Sequence, residues 1–236
     1  MKSNPFLSVI IPAYNEGSNL RFVLNNVIDV LHKMKLRYEI IVVNDGSEDD
    51  TSEVAKKFDV RLIDNNKNQG KGSALINGIR SSRGNIIVTM DADGSHRAED
   101  IPNIIFPLLK NDELDATIGS RFVYDIGKKS TSELHLIGNR LINFVILCMT
   151  GKFISDSQCG FRGFRKRSLE KMSIYSSGFD IEAEMLIKFM KNGYNVLEIP
   201  IVCYPRLNGT TRLRSFKDGL HIIKSIIKIS IYSFIS

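Results

Sequence analysis

Short, β-rich apolar runs alternate with helical patterns through the first half of this chain, and no other feature limits its fold as tightly. Strands are expected near residues 7–12, 38–43, 60–64, 85–91 and 114–119, with helices near 18–35, 50–58, 71–82 and 98–110. That order implies a parallel sheet, because a parallel neighbour is reached only through a crossover. Right-handed crossovers then set the carboxyl ends of the strands along one edge, where open α/β sheets bind ligands. The second half is less regular. Residues 122–134 lack periodicity and read as a mobile loop or lid; helices follow near 136–150 and 179–192, and a strand near 196–202, with no internal repeat.

With 236 residues, 43% of them hydrophobic and 25% charged, the chain is long enough for one domain around a large core. A net charge of +6 suits nucleotides, lipid phosphates or an acidic membrane surface without choosing among them. Cys148, Cys159 and Cys203 are widely spaced, odd in number and outside any metal-ligand pattern, which favours a reducing compartment. The first apolar stretch, Phe6 to Ala13, is interrupted by Pro12 and reads as a strand and not as a signal peptide, so the protein is expected in the cytoplasm. Leu141 to Met149 falls short of the roughly 18 to 20 apolar residues that span a bilayer and reads as a buried helix.

Four segments leave the expected strands at the binding edge: Pro12-Ala13-Tyr14-Asn15-Glu16, Asn44-Asp45-Gly46-Ser47, Asp91-Ala92-Asp93-Gly94-Ser95 and Gly119-Ser120-Arg121. Any one is an ordinary loop; together they make a polar pocket. If Asp91 and Asp93 continue the strand they lie on one side and can share a hard divalent cation with two phosphate oxygens; a solvated turn is the alternative. Lys71, between two glycines, either meets phosphate at a helix start or caps the helix. His96 is either a metal ligand or a polar loop residue. Asp156, Glu182 and Glu184 are further acids, each either catalytic or a structural hydrogen-bond acceptor.

Taken in order, these segments are similar to those of the inverting family 2 glycosyltransferases of the GT-A fold, and within them the dolichol-phosphate (polyprenyl-phosphate) sugar synthases. The resemblance runs from residue 8 to about 214 and includes Gly70-Lys71-Gly72, Asp156 to Arg162, Gly178-Phe179-Asp180-Ile181-Glu182, and Glu198-Ile199-Pro200-Ile201 with Arg206. It implies an α/β fold, a Rossmann-like, mostly parallel sheet flanked by helices, over residues 1–215. Asp91, Asp93, Arg121 and Asp156 are implied as catalytic. Pro12, Tyr14, Glu16, Val43, Asp45, Lys71, Asp91, Ala92, Asp93, Arg121, Phe179, Arg206 and Arg212 would surround a nucleotide-sugar donor, with Mg²⁺ or Mn²⁺ on Asp91 and Asp93. Arg212 stands where the family often has Ser-Lys and is assigned on charge alone. The span from Asp156 to Arg162 looks closer to the glucose than to the mannose synthases, which favours UDP-glucose or UDP-N-acetylglucosamine over GDP-mannose.

A polyprenyl or dolichyl phosphate acceptor is already anionic and needs no strong base, so the absence of a Ser/His/Asp triad is no objection. The resemblance implies inversion, from an α-linked donor to a β-linked lipid phosphate sugar, in the service of protein N-glycosylation or surface glycan assembly. A soluble or glycan hydroxyl acceptor, and a nucleotide-sugar-binding regulatory module without turnover, are the alternatives. No nucleic acid is expected as a partner, and oligomerisation is left open. Residues 216–236 place Leu220, Ile223, Ile226, Ile227 and Ile231 at helical spacing, with Lys217, Lys224 and Lys228 elsewhere on the wheel. Such an amphipathic helix lies on the cytoplasmic face of a membrane, on the protein's own core or on a second subunit.

Overall fold

The computed structural model describes residues 5–123, 133–209 and 224–225. Its elements are β1 (Leu7–Ala13), α1 (Gly17–Met34), β2 (Tyr38–Asn44), α2 (Thr51–Ala55), β3 (Arg61–Asp64), α3 (Lys71–Ser81), β4 (Ile86–Thr89), α4 (Ile101–Lys110), β5 (Leu114–Ser120), α5 (Glu133–Thr150), β6 (Arg162–Arg165), α6 (Lys166–Leu169), α7 (Ile181–Lys191) and β7 (Asn195–Pro200). The strands form one seven-stranded sheet in the order β3-β2-β1-β4-β6-β5-β7. All pairings are parallel except those of β6, which runs antiparallel between β4 and β5. The amphipathic segment 216–236, apart from Lys224 and Ser225, lies outside the described residues, as do Arg212 and most of the expected lid, residues 124–132.

The central strands are apolar on both sides because helices cover both sides. Alternation along β1 sends Val9 and Ile11 into a layer with Leu20, Leu24 and Val27 of α1 and Ile101, Ile104 and Ile105 of α4. Ile10 goes the other way, with Ile41, Val43 and Ile87, onto Ala74 and Leu75 of α3 and Ile181 and Met185 of α7. A third cluster joins Ile142 and Ile146 of α5 to Ala183, Leu186 and Ile187 of α7.

Three expectations need correction. β6 and α6 are absent from the sequence reading, because Arg162-Gly163-Phe164-Arg165 is too short and too charged to carry a strand pattern; it is recruited by the open sides of β4 and β5. α2 is only one turn and a half long, not the nine residues expected. β4 ends at Thr89, so Asp91 and Asp93 do not sit on a strand, and strand alternation is not what orients them. A turn does so. It closes at Gly94, whose φ of +76° few side chains tolerate, and Leu207 would lie 2.4 Å from a Cβ there.

Candidate active site

The parallel strands deliver their loops to one edge, and each brings a charged or polar group. Behind β2, the buried Asp45 carboxylate accepts the backbone N–H groups of Gln69 (3.0 Å) and Gly70 (2.8 Å) and the amide of Asn65 (2.9 Å). It thereby pins the loop that starts α3. Beside it opens a cavity of about 470 Å³ lined by Tyr14, Asn44, Gly46, Ser47, Asn65 and Lys67, among others. Val43 does not line this cavity: its side chain is fully buried against α3 with Ile10. Pro12 is half-buried at the end of β1, opposite Val43 in register.

The Lys71 side chain reaches from the first position of α3 to Asp91 Oδ1 and Glu182 Oε1, each at 2.7 Å. It neither caps the helix nor stands free for a phosphate. Glu182 is almost wholly buried, and neither of its oxygens accepts a well-aligned hydrogen bond, so the ammonium is what balances its charge. The Phe179 ring lies 5.9 Å from the same ammonium. Burial works against the charge on Asp91, yet Lys71 outweighs it and holds the carboxyl at about 2; the Lys71 ammonium is itself held above its usual range by the two carboxylates, again against burial. A Cβ on Gly160 would come within 2.9 Å and 3.0 Å of the Asp91 oxygens, so only glycine leaves that side of the carboxylate open.

Asp93 is held differently. One oxygen accepts the N–H of Ser95 at 2.9 Å, and the other faces Arg206 Nη1 at 3.6 Å. Arg206 also donates to Glu16 at 2.5 Å, and Glu16 accepts from Asn19 at 2.8 Å. Segment 203–208 is laid over the Asp93 turn by further backbone bonds, Leu207 N–H to Asp93 O and Tyr204 N–H to Ser95 O. Arg206 is therefore a clasp between the β1 loop and the Asp91-Ala92-Asp93 turn. Ala92 is buried in the core beneath it.

On the far side, Arg121 grips Asp156 with a two-pronged pair, Nε to Oδ2 at 2.6 Å and Nη2 to Oδ1 at 2.8 Å. Asp156 is fully buried and also accepts the Asn139 amide of α5 at 3.1 Å. Glu198 of β7 accepts the N–H groups of Ser155 and Asp156, fixing this segment from below. Although burial opposes it, the Asp156 carboxylate raises the Arg121 guanidinium above its already high range.

A family model described as "Glycosyl transferase family 2" matches residues 8–173. The chain belongs to that family. As a glycosyltransferase it is 30% identical over 242 residues to the UDP-N-acetylglucosamine–dolichyl-phosphate N-acetylglucosaminyltransferase of Methanococcus voltae, across 91% of this chain and 94% of that one. It is likewise 30% identical to the dolichyl-phosphate beta-glucosyltransferase of Dictyostelium discoideum, across 96% of this chain and 74% of the other. Its fold superposes with a TM-score of 0.77 on glucosyl-3-phosphoglycerate synthase from Mycobacterium tuberculosis, solved with Mn²⁺, uridine diphosphate and phosphoglyceric acid, at 18% identity and covering 96% of this chain and 78% of that one. The glycosyltransferase therefore has the GT-A fold.

Among the described residues, no group of three or more His, Cys, Asp or Glu could hold a metal ion. The glycosyltransferase offers Asp91 and Asp93, two hard carboxylates, one of them opened on the Gly160 side. This donor set fits Mg²⁺ or Mn²⁺ drawing its remaining oxygens from water and a diphosphate. His96 is not part of it. The ring is buried against Phe161, with Nδ1 3.4 Å from the Asp91 N–H and Nε2 3.9 Å from Cys159 Sγ, and burial lowers its basicity. Its imidazole braces the turn from inside.

Sequence reading missed two groups. Lys71 was not seen as the partner of Asp91 and Glu182, because those residues are 20 and 111 positions away in the chain. Arg162 was seen only within a motif, yet its buried guanidinium donates to the carbonyls of Ser157 (2.6 Å), Cys159 (2.7 Å) and Glu182 (2.7 Å), tying the Asp156 segment to α7. A lone arginine in an apolar stretch, Cys159 to Phe164, was the available signal.

Proposed function

We propose that the enzyme transfers a hexose or N-acetylhexosamine from a UDP-sugar to polyprenyl or dolichyl phosphate, with inversion, at the cytoplasmic face of a membrane. The observation that carries this reading is the commitment of three buried acids on the acceptor side, Asp156, Glu182 and Glu184. Asp156 is locked by Arg121 and Asn139, and Glu182 is paired with Lys71. Glu184 accepts the N–H groups of Tyr175 and Ser176 and pairs with Lys188. None of these three is free to take a proton from a hydroxyl nucleophile. A phosphate acceptor needs no such base, because its oxygen arrives ionised. The names of the two relatives, both acting on dolichyl phosphate and one on a UDP-sugar, support the same acceptor and donor class.

In this mechanism an acceptor phosphate oxygen attacks the anomeric carbon as the bond from that carbon to the donor's β-phosphate oxygen breaks, and the electron pair leaves with UDP. Attack opposite the leaving group converts an α-linkage to a β-linkage. The cavity beside Tyr14 and Asn65 receives the nucleoside, its loop held in place by Asp45. Asp91 and Asp93 hold Mg²⁺ or Mn²⁺, which, when bound, offsets charge on the departing diphosphate. Arg206 turns from Glu16 and Asp93 towards the phosphates, and Arg212 is assigned beside it by charge. Arg121 faces the acceptor phosphate from a position fixed by Asp156.

Incubating the enzyme with Mn²⁺, labelled UDP-glucose, UDP-N-acetylglucosamine or GDP-mannose, and dolichyl phosphate should yield an acid-labile product, soluble in organic solvent, from a UDP-sugar. Product from GDP-mannose alone would replace the donor assignment. Transfer only to a soluble hydroxyl acceptor would replace the acceptor assignment.

A further inference from the structure

The Gly70-Lys71-Gly72 turn and the buried Glu182 carboxylate form one device. A Cβ on Gly70 would run into the Ser177 carbonyl oxygen, and one on Gly72 into that of Ser176, so two glycines are needed for α3 to start against the segment that leads into α7. The Gly72 N–H donates to the Ser177 carbonyl at 2.8 Å and holds it there. This close approach carries the Lys71 ammonium to Glu182, at the second position of α7, as well as to Asp91.

The fold alone does not account for Glu182. Its side chain is 4% exposed, no donor is aligned on either of its oxygens, and the Arg162 guanidinium donates to its backbone carbonyl and not to its carboxylate. A buried carboxylate in that position is costly unless a cation stays beside it. Lys71 is that cation, yet Asp91 already matches its charge, and one ammonium between two carboxylates leaves one negative charge over. That excess is what a divalent ion on Asp91 would offset.

The ammonium and the Asp91 carboxylate also face the same opening. A Cβ on Gly160 would meet the two Asp91 oxygens at 2.9 Å and 3.0 Å and Lys71 Nζ at 3.1 Å. A metal ion drawn to Asp91 there is repelled by the ammonium until Lys71 moves. Moving into water would strand Glu182 without a counter-charge. Moving onto Glu182 is a small step, because Nζ already lies 2.7 Å from Oε1 and the neighbouring Oε2 has no hydrogen-bond donor. We propose that Lys71 occupies Asp91 until a divalent cation arrives and then passes wholly to Glu182, which makes Glu182 a positioning residue for the metal site. The inference rests on the reading of Asp91 and Asp93 as metal ligands and deepens it. The exchange breaks one contact, Lys71 with Asp91, and moves no proton. It leaves both carboxylates paired, Asp91 with the metal and Glu182 with the ammonium.

Binding of Mn²⁺ alone to the full chain, read from the electron paramagnetic resonance signal of the free ion, tests this without turnover. Asp93→Asn should abolish binding. Glu182→Gln should raise the Mn²⁺ dissociation constant roughly tenfold, the usual scale of coupling between sites, because the ammonium is left with Asp91 as its one carboxylate. Combining Lys71→Met with Glu182→Gln should return the constant to the parental value or below it, since no ammonium then competes. The double variant removes the two buried charges together, so urea unfolding should show it folded. The Lys71 ¹⁵Nζ resonance, assigned by its loss in Lys71→Met, should shift when diamagnetic Mg²⁺ is added. It should stay sharp in the parent and broaden in Glu182→Gln, where the displaced ammonium goes to water. A Glu182→Gln variant that binds Mn²⁺ like the parent overturns the proposal. A double variant that binds as weakly as Glu182→Gln also does, since Glu182 is then a metal ligand. So does Mg²⁺ binding that leaves the Lys71 resonance unmoved. These three outcomes leave the metal reading standing, whereas a parent that binds no Mn²⁺, or binding that survives Asp93→Asn, overturns that reading and the inference with it.

Discussion

The two sides of the site, which we propose meet the donor and the acceptor, use the same residue types in opposite ways. On the donor side, Asp91 and Asp93 keep 27% and 23% of their side-chain surface exposed, and their partners Lys71 and Arg206 each serve a second carboxylate. On the acceptor side, Asp156 is fully buried and both its oxygens are taken by Arg121 and Asn139. A shared, partly wet ion pair can exchange partners when a cation or a diphosphate arrives. A buried two-pronged pair cannot do so without leaving an uncompensated charge. On the proposed assignment, the donor side can rearrange on binding, and the acceptor side holds one arginine in place.

Substitutions on the two sides should therefore fail in different ways. Asp91→Asn should lower kcat/KM roughly a thousandfold, the scale of losing a charge contact that stabilises the departing group, while the folded protein survives; steady-state kinetics against urea unfolding separates the two effects. Asp156→Asn should instead cost about 3 to 5 kcal/mol of stability, because Arg121 is left buried without its counter-charge. Equal stability losses for the two variants would erase the contrast between the sides. Arg206→Ala should raise the donor KM roughly tenfold through one lost charged hydrogen bond and lower stability by less than Asp156→Asn does, since the buried Glu16 loses its cation but keeps Asn19 as a partner; a change confined to the acceptor KM would move Arg206 to the other side.

The smallest effect is in pH. Asp91 titrates at about 2 in the folded protein against an ordinary 3.8, so its ionisation stabilises the fold above the unfolded value. That contribution is lost as pH falls from about 4 towards about 2. The melting-temperature gap between the parent and Asp91→Asn should narrow over that interval. A gap that stays constant would mean that Lys71 does not hold the carboxylate as described.

Much of this was legible in the chain. Periodicity located β1 to β5 and α1, α3 and α4, because each carries a regular apolar pattern set by the layer it packs against. Asp45, Asp91, Asp93 and Arg121 were recognisable as edge residues because strand ends are marked by an abrupt change from apolar to polar. β6 was not legible, since its four residues gain their partners only from β4 and β5. Nor was the true orientation of Asp91 and Asp93. The strand stops two residues earlier than its apolar pattern suggests, and a glycine turn takes over.

The parallel α/β order, the edge where chemistry could occur, and the similarity to sugar transferases can all be read along the chain, because these depend on local pattern and on the order of short motifs. Which charges meet is set by the folding of the chain in three dimensions. Lys71 with Asp91 and Glu182, Arg206 with Glu16 and Asp93, and Arg121 with Asp156 all join residues from distant parts of the chain. The same holds for α5, whose composition marks it as apolar, while only its packing on α7 shows which half of that apolar surface the protein leaves uncovered. Pairings of this kind depend on distances across the sheet edge, and linear spacing does not encode them.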